Sequence, residues 1–391
     1  MLDVLLVEDE EDVRICIASW LEDAGHRVTQ ASDGGHAATL LESRTFDVAI
    51  FDVHLPTIDG LTLARRARHV TPGTAVVIMT SQANVADVVS SLRDGVLDYV
   101  VKPFDADRLI ERIIVPIAER RAFRRQFEAA RVEWINVAVG IRVVATSMQM
   151  KAVVDRVKAV AQGDSSVLLY GENGTGKKTL ARLLHEASQR RLAPFVVVPW
   201  ATLADLIVES ELRALDGVGD RDAWFRQAEG GTLVLDGIDQ APLSVQAALA
   251  RVLAEPSSTA RRGTDWQPRG VRVVATARTD LSANVKSGAF LEALFYLSAA
   301  AGIEVAPLRE RKADLMPLVA GILSSLAPGW ASIPSIEPGA YAALAAYSFP
   351  GNVSELDWAL RYAFSQAGTA PIAVTHLPQR IWHGERDAGA N

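Results

Sequence analysis

The sequence predicts an α/β protein: a five-stranded doubly wound domain, followed by a P-loop α/β domain with a small helical lid. Three observations support this fold class. The length of 391 residues allows two or three domains. Short apolar runs alternate with helix-like segments from residue 1 to about residue 120. Residues 167–170 form a strand-like run that leads into a glycine-rich loop and then a helix.

Five strand–helix units follow one another in the first part of the chain. We predict strands over residues 2–7, 28–31, 48–51, 75–80 and 99–101, and helices over 10–24, 35–43, 61–69 and 85–94, with another helix from Asp105. The run 48–51 is apolar without alternation, which is typical of a buried parallel strand. This rhythm predicts a doubly wound parallel sheet.

Acidic, hydroxyl and basic residues stand at the carboxyl ends of these strands. The residues are Glu8 and Asp9 after the first strand, Asp52 after the third, Thr80 at the fourth and Lys102 after the fifth. Open α/β sheets place their chemistry at this edge. Three acids brought together there would repel one another unless a hard cation such as Mg²⁺ joined them. The lysine and the hydroxyl suit an anion that arrives with the metal, such as a phosphoryl group.

This set of residues resembles the receiver domain of two-component response regulators over residues 1–118. The resemblance implies that Asp52 is the phospho-acceptor and that its carboxylate attacks the phosphohistidine of a sensor histidine kinase. It also implies that Mg²⁺ is held by Glu8, Asp9, Asp52 and the backbone carbonyl of His54. Lys102 would then pair with the phosphoryl group, Thr80 would hydrogen-bond it, and Tyr99 would rotate inward as the switch aromatic.

Residues 119–145 are predicted to form a linker helix. Apolar residues recur at helical spacing from Leu109 to Ile117, and most of them should pack on the first sheet. Pro116 is expected to kink or end that helix, and several arginines follow it. An interdomain helix and a solvated linker helix both fit this pattern. We favour the interdomain helix, and dimerisation stays open.

A second set of residues predicts a phosphate-binding loop. The loop is Gly171, Glu172, Asn173, Gly174, Thr175, Gly176 and Lys177, followed by Lys178 and Thr179. Glycines let backbone N–H groups wrap a phosphate, and the following helix adds the positive end of its dipole. A later strand ends at Asp236, in a segment similar to a Walker B motif. General P-loops have Ser or Thr as a Mg²⁺ ligand at the position of Lys178.

These motifs, with the segments 209–212, 271–276, 307–311 and 349–353, resemble the AAA+ domain of sigma-54-dependent transcription activators of the nitrogen-regulator type. The resemblance implies an AAA+ P-loop subdomain over residues 146–305, a helical lid subdomain over 306–378 and a disordered tail over 379–391. With the receiver domain, it covers nearly the whole chain.

Several residues depart from the family pattern at catalytic positions. Lys178 replaces the acid after the Walker lysine, Gly237 the glutamate that polarises water, and Arg278 the polar sensor residue. Leu291 and Leu297 replace the two arginine fingers, and Ser354 replaces the second sensor arginine. Loss of an arginine finger can lower the rate by about 10³–10⁵. We therefore expect no efficient ATP hydrolysis. Binding of ATP or ADP stays open, since Arg278 could still pair with a γ-phosphate.

Two output devices of that family are not found in the sequence. Residues 213–224 lack the family's sigma-contacting Gly-Ala-Phe-Thr-Gly-Ala loop, and no helix-turn-helix follows Pro378. The net charge of −7 gives no bulk reason to expect nucleic-acid binding. We therefore expect no direct contact with DNA.

The sequence supports three hypotheses about function. The first is a response regulator phosphorylated on Asp52, whose degenerate AAA+ domain controls transcription indirectly by binding proteins, such as an active AAA+ relative or a second copy of the chain. The second is an ATP-dependent sigma-54 transcription activator with unusual catalytic residues. The third is a phosphate sink that drains a kinase. ATP turnover separates the second from the others, and a pull-down with and without an acyl-phosphate mimic separates the first from the third.

The cellular setting follows from simpler features. The sequence has neither a signal peptide nor an apolar run long enough to span a membrane. Its single cysteine, Cys16, fits a reducing compartment and lies in an apolar helical stretch. We therefore expect a cytoplasmic protein with no membrane partner, in which Cys16 is buried.

Overall fold

The computed structural model describes residues 1–71, 73–81, 96–130, 134–138, 141–200, 227–254, 270–327 and 335–382. The chain divides into two compact units, Met1–Gln126 and Phe127–Asn391. Four predicted features lie outside the described residues: the helix over 85–94, the segment 209–212, the segment 213–224, and the part of the tail after residue 382.

The first unit is a five-stranded parallel sheet with helices on both faces. Its strands are β1 (Asp3–Val7), β2 (Arg27–Ala31), β3 (Val48–Asp52), β4 (Ala75–Thr80) and β5 (Asp98–Val101), in the order β2-β1-β3-β4-β5. Its helices include α1 (Glu11–Asp23), α2 (Gly34–Ser43), α3 (Gly60–Val70) and α4 (Ala106–Leu109). Every residue of β3 is buried, and separate apolar cores cover the two faces of the sheet. The doubly wound sheet is confirmed.

The segment after α4 differs from the prediction in two ways. A π-helical stretch, Ile110–Ile114, precedes α5 (Val115–Ala129), so the helix does not end at Pro116. A π-turn changes the hydrogen-bond register of a helix, here directly before the proline, whose nitrogen cannot donate. The helix then ends at Ala129, and β6 (Trp134–Ala138) and β7 (Ile141–Val144) form an antiparallel ribbon within the predicted linker helix. Their β-branched residues favour strands.

The apolar residues between Leu109 and Ile117 lie where they were expected. Leu109, Ile113, Ile114 and Ile117 are buried in the core on one face of the first sheet. Farther along α5, Arg121 donates hydrogen bonds to the carboxylate of Asp47 and, at 2.6 Å, to the carbonyl of Gly73. These bonds hold α5 against the amino-terminal edge of the sheet.

The second unit has its own five-stranded parallel sheet. Its strands are β8 (Val167–Tyr170), β9 (Phe195–Pro199), β10 (Thr232–Asp236), β11 (Arg272–Ala277) and β12 (Ala301–Glu304), in the order β12-β8-β11-β10-β9. In the described part of this unit, the helices beside the sheet are α6 (Met148–Ala161), α7 (Lys177–Glu186), α8 (Leu243–Ala254), α9 (Ser282–Lys286) and α10 (Glu292–Ser298). The order places β8, which carries the P-loop, inside the sheet between the edge strand β12 and the central strand β11.

A helical subdomain follows the second sheet. It contains α11 (Leu315–Leu326), α12 (Pro338–Ala346), α13 (Asn352–Ala367) and α14 (Gln379–Trp382). Residues 379–382 were assigned to the disordered tail, and that boundary is wrong. They form α14, in which Ile381 is buried and only 3% exposed.

One further expectation is corrected by the helical phase of α1. Cys16 is exposed, since Ile17, Ala18 and Leu21 form the buried face of this helix. A neighbouring residue on a helix points about 100° away and need not share that face. Among the described residues, none of the helices combines the length and the apolar character needed to cross a membrane.

Candidate functional sites

The acidic site of the first unit lies at the carboxyl edge of its sheet. β1 pairs with β3, with Val7 opposite Phe51, so the residues that follow these strands meet. β1 and β3 are also where the strand order changes direction, with β2 on one side and β4 on the other. Ligands of open α/β sheets bind at such a switch point.

Lys102 bridges two carboxylates at this edge. Its Nζ lies 2.6 Å from Oε2 of Glu8 and 2.7 Å from Oδ2 of Asp52. Glu8 is 1% exposed and Asp52 is 7% exposed. Two buried carboxylates need a partner of opposite charge, and Lys102 supplies it here.

The pKa values of Glu8 and Lys102 are shifted by their burial and by the charges close to them. Burial raises the pKa of Glu8, and the nearby Asp52 charge adds to this effect, while the hydrogen bond from Lys102 opposes it. Burial acts to lower the pKa of Lys102, but its hydrogen bonds to Asp52 and Glu8 prevail and raise it. The ammonium form of Lys102 is therefore favoured at this edge.

The carboxylates of Glu8, Asp9 and Asp52 could also hold a metal ion. One oxygen from each lies within 4.8 Å of the others. An all-oxygen donor set suits Mg²⁺, and Asp9 faces solvent, from which an ion would enter. The amide of His54 lies 3.4 Å from Oδ1 of Asp52, which places the backbone of His54 beside this set while its side chain is exposed.

The two predicted switch residues lie on the neighbouring strands. Thr80 ends β4 and is 3% exposed. Tyr99 is half-buried on β5, opposite Ile78. The amide of Lys102 donates to the carbonyl of Thr80 at 2.8 Å, which holds the lysine beside that hydroxyl residue.

Gly60 lets the loop after β3 return against the backbone of Asp52. A Cβ at this position would lie 1.9 Å from the carbonyl oxygen of Asp52. The amide of Gly60 donates to the carbonyl of Val53 at 3.0 Å, and α3 begins at this glycine with Asp59 as its N-cap. This close approach explains why Asp59 and Gly60 follow the acidic strand end.

The P-loop of the second unit has the backbone that its glycines predict. Gly171, Gly174 and Gly176 have φ values of 144°, 78° and 101°, which other residues rarely adopt. Lys177 Nζ donates to the carbonyls of Gly171 and Glu172 at 2.6 and 2.7 Å. Burial lowers the pKa of Lys177, against the charges of Asp236 and Asp239.

Asp236, the predicted Walker B aspartate, makes contacts through both of its carboxylate oxygens. Its Oδ1 accepts a hydrogen bond from the Thr276 hydroxyl at 2.7 Å, and its Oδ2 lies 3.2 Å from Nζ of Lys178. Thr179, one residue later, is half-buried at the start of α7. Lys178 therefore directs a positive charge to the carboxylate that the family pattern reserves for Mg²⁺ coordination.

The other departures from the family pattern also have local roles. Arg278 pairs with Asp239 at 2.7 Å. Leu291 and Leu297 pack against the core that surrounds β10 and β11. Gly237 has a φ of 76° and begins a 3₁₀ turn over Ile238–Gln240. Each residue contributes to the folding of its own unit.

Comparison with known proteins identifies the parts of the chain. Residues 4–114 match the response regulator receiver domain, residues 143–304 the sigma-54 interaction domain, and residues 309–391 an AAA+ ATPase lid domain. The regulatory protein AtoC of Escherichia coli (strain K12) is 32% identical over 396 residues, which cover 99% of this chain and 85% of AtoC. The chain belongs to the NtrC-like response regulators. The DNA-binding transcriptional regulator NtrC of the same organism is 32% identical over 97% of this chain and 81% of NtrC.

Solved structures agree with this assignment. NtrX from Brucella abortus, in complex with ATP, is 28% identical over 97% of this NtrC-like chain and 85% of NtrX, with a TM-score of 0.53. Its complex with ADP gives a TM-score of 0.52, with 99% of this chain and 88% of NtrX covered. The receiver domain, the AAA+ domain and the lid predicted from the sequence are therefore confirmed as the architecture of this regulator.

Sequence reasoning missed a set of contacts that clamps the P-loop of this NtrC-like regulator. Arg309 donates two hydrogen bonds to Glu172, at 2.6 and 2.8 Å. Nδ2 of Asn352 donates to Glu172 at 3.1 Å and to the carbonyl of Asn173 at 3.0 Å. Arg311 donates to the carbonyl of Thr175 at 2.8 Å. The P-loop partners of Arg309 and Arg311 are more than 130 residues away in the sequence, so no local spacing reveals them.

The clamp makes a pH-dependent contribution to stability that can be measured. Hydrogen bonds from Arg309 and Asn352 lower the pKa of Glu172 from 4.5 to about 2. The stabilisation is therefore complete above pH 4.5 and is lost as the pH falls towards 2. Because both side chains are about 40% exposed, we expect less than about 1 kcal/mol from the pair. Urea unfolding of the wild type and the Glu172→Gln variant should differ most near neutral pH and converge in acid. A difference that stays constant with pH would contradict this account.

Proposed function

We propose that this NtrC-like regulator is a phosphorylation-dependent adaptor whose AAA+ unit binds a nucleotide without hydrolysing it. A sensor histidine kinase phosphorylates Asp52, and the second unit passes the change to a protein partner. That partner is an active AAA+ relative or a second copy of the chain. The result is indirect control of transcription, in keeping with the family to which the chain belongs.

The proposed phosphotransfer uses the residues at the carboxyl edge of the first sheet. A carboxylate oxygen of Asp52 attacks the phosphorus of a phosphohistidine, the P–N bond breaks, and an acyl phosphate forms on Asp52. Lys102 moves its hydrogen bond from the Asp52 carboxylate to a phosphoryl oxygen. Thr80 then donates to that group, and Tyr99 follows it inward. Mg²⁺, when bound by Glu8, Asp9, Asp52 and the backbone of His54, neutralises the charge that builds up on the phosphoryl oxygens.

One observation carries the proposal that ATP is not hydrolysed: the position that should polarise the attacking water is Gly237. It has no side chain to do so, and its left-handed φ of 76° disfavours any replacement. A Cβ there would also lie 3.0 Å from Nε2 of Gln240 and 3.2 Å from Cδ1 of Trp200. The local backbone has therefore adapted to glycine.

The contacts made by the residues at the other catalytic positions support the same proposal. Arg278 is committed to Asp239, and the two finger positions present leucines that pack on their own core. Phosphoryl transfer depends almost entirely on positioning and charge neutralisation. With those groups replaced, the unit keeps the means to hold a nucleotide and has lost the means to stabilise the transition state.

An ATP-dependent sigma-54 activator is the second candidate, and the P-loop itself favours it. The glycines keep their left-handed conformations, Lys177 lies at the loop, and a cavity of about 750 Å³ adjoins it. The similar NtrX was crystallised with ATP and with ADP. These features support nucleotide binding in both candidates, so turnover decides between them.

ATP turnover is the test. We expect the purified chain with Mg²⁺, with or without beryllofluoride to mimic phosphorylation, to release phosphate no faster than a Lys177→Ala variant. The loss of finger-type stabilisation alone lowers such rates by about 10³–10⁵. The measurement is phosphate release over hours, with calorimetric ATP binding run in parallel. Turnover in the wild type that disappears in Lys177→Ala would overturn the adaptor proposal and favour the activator.

A further inference from the structure

The nucleotide cavity of the second unit has an unusual distribution of charge. It lies beside the P-loop and is about 750 Å³ in volume, and its lining includes Lys177, Lys178, Asp236, Asp239 and Arg278. With Arg142 and Asp357, which also belong to the lining, four cationic side chains and three carboxylates surround the cavity. In a general P-loop site a bound Mg²⁺ supplies much of the positive charge that the phosphates need.

Mg²⁺ does not fit the donor set at this P-loop. The position after Lys177 holds a hydroxyl ligand in general P-loops and an acid in this family, but here it is Lys178, whose ammonium group cannot bind a metal. The Asp236 carboxylate is occupied on both sides, by the Thr276 hydroxyl at 2.7 Å and by Nζ of Lys178 at 3.2 Å. Mg²⁺ requires oxygen ligands at about 2.0–2.1 Å in near-octahedral geometry. An ammonium group at this distance from the same carboxylate occupies the space of the ion and repels its charge.

The carboxylate of Asp239, which also lines the cavity, does not complete a Mg²⁺ site. Asp239 pairs through Oδ2 with Arg278 at 2.7 Å, and its side chain is only 4% exposed. Its Oδ1 is buried without a hydrogen-bond partner in the described structure, so this oxygen is where a metal could still be bound. Because Arg278 already pairs with this carboxylate, the buried oxygen offers Mg²⁺ one ligand of the near-octahedral set and no more.

The cations already present can take over the role of the ion. Lys178 carries three N–H donors and uses one on Asp236. It is largely exposed, so its other N–H groups can reach a phosphate while the contact with Asp236 is kept. Lys177 lies on the other side of the loop at 2.6 Å from the Gly171 carbonyl, where it can exchange a backbone contact for a phosphate oxygen.

We propose that this P-loop binds ATP or ADP as the metal-free anion, with the Lys178 ammonium in the place of Mg²⁺. The proposal rests on nucleotide binding by the second unit, which is part of the proposed function. It adds that Mg²⁺ is unnecessary for that binding and that Lys178 is the residue that makes it so. It also gives a reason for the absence of turnover beyond the loss of single catalytic groups, since no metal bridges the phosphates.

Calorimetric titration of the full chain with ATP and with ADP tests this proposal, in excess MgCl₂ and in excess EDTA. We expect dissociation constants in the two buffers that agree within about threefold. Replacing Lys178 by Ala should weaken binding in EDTA by about tenfold or more, since a charge-assisted hydrogen bond to phosphate is lost. The Lys178→Thr variant restores a hydroxyl ligand and should become dependent on Mg²⁺. Lys151→Ala, which removes the same charge from an exposed site on α6, should leave both constants unchanged.

The outcomes separate this inference from the proposed function. Binding that needs Mg²⁺ and disappears in EDTA overturns metal-free binding and leaves a nucleotide-binding adaptor intact. ATP turnover in the Mg²⁺ buffer overturns the adaptor, whereas equal binding in both buffers still supports the role of Lys178. A failure to bind in either buffer, with the chain folded by circular dichroism, overturns both. Equal loss of affinity in Lys178→Ala and Lys151→Ala would show a general charge effect and overturn the role of Lys178.

Discussion

The Asp52→Asn variant is expected to incorporate no phosphoryl group from a small acyl-phosphate donor or a phosphorylated histidine kinase. The amide of asparagine has the shape of the carboxylate but cannot form an acyl phosphate, because it lacks a nucleophilic oxygen anion. Asp52 is 7% exposed and already meets Lys102 at 2.7 Å, so the neutral amide also loses a charged partner. Intact mass spectrometry after incubation with acetyl phosphate and Mg²⁺ measures the result directly.

A matched control is available at Asp33. This residue is the N-cap of α2, where its carboxylate accepts a hydrogen bond from the amide of His36 at 2.9 Å. Asparagine caps helices about as well as aspartate, so Asp33→Asn should keep both the fold and full phosphorylation. Removal of Mg²⁺ with EDTA should slow incorporation in the wild type, given the set formed by Glu8, Asp9 and Asp52. Undiminished incorporation in Asp52→Asn would show that another residue accepts the phosphoryl group.

Asn352→Ala is expected to destabilise the second unit by about 2–4 kcal/mol. Asn352 is fully buried. It accepts a hydrogen bond from the amide of Leu308 at 2.7 Å and donates to Glu172 and to the carbonyl of Asn173. Alanine removes all three bonds and leaves buried polar groups unsatisfied. It must also adopt the left-handed φ of 54° that asparagine tolerates.

Glycine at the same position separates the two causes. Asn352→Gly loses the same hydrogen bonds but accepts the left-handed backbone, so it should be about 1 kcal/mol more stable than Asn352→Ala. Seven of the eight tryptophans lie after residue 126, so tryptophan fluorescence during urea unfolding reports mainly on the second unit. Asn284→Ala, on α9, makes the same chemical change without these contacts. Equal effects of Asn352→Ala and Asn284→Ala would contradict the clamp.

The acidic edge of the first unit could be derived from the sequence because parallel strands end at one edge of a sheet. Once the strands over 48–51 and 2–7 are placed in a parallel sheet, Asp52, Glu8 and Asp9 must follow them there. The P-loop was equally accessible, since its strand, glycines and helix are contiguous. In both cases a short stretch of sequence is enough to predict the local structure.

The linker and the lid were harder to derive because their structure depends on distant contacts. Pro116 was expected to kink or end the helix, and the structure places a π-helical stretch before the proline and continues as α5. Trp134 falls within the linker helix predicted over residues 119–145, but it begins β6, which pairs with β7. Helix and strand differ little in local preference at such residues, and pairing with another segment decides between them.

The partners of the replaced catalytic residues were also beyond sequence reasoning. Lys178 appeared as a charge reversal, yet the structure pairs it with Asp236 at 3.2 Å. Arg278 appeared as a candidate for γ-phosphate binding, yet it pairs with Asp239. These pairs join residues 58 and 39 positions apart, so only the folded sheet brings them together.

The order of the two domains, the doubly wound sheet, the P-loop and the residues of the acidic edge follow from the sequence alone, because each depends on periodicity or on contiguous motifs. The tertiary structure decided what surrounds them: the bridge from Lys102 to Glu8 and Asp52, the clamp of Arg309 and Asn352 on Glu172, and the pairing of Lys178 with Asp236. The difference lies in the separation along the chain over which each interaction acts. Backbone preferences and burial patterns act over a few residues, whereas hydrogen bonds and ion pairs at a site join strand ends and loops that meet only after the sheets have formed.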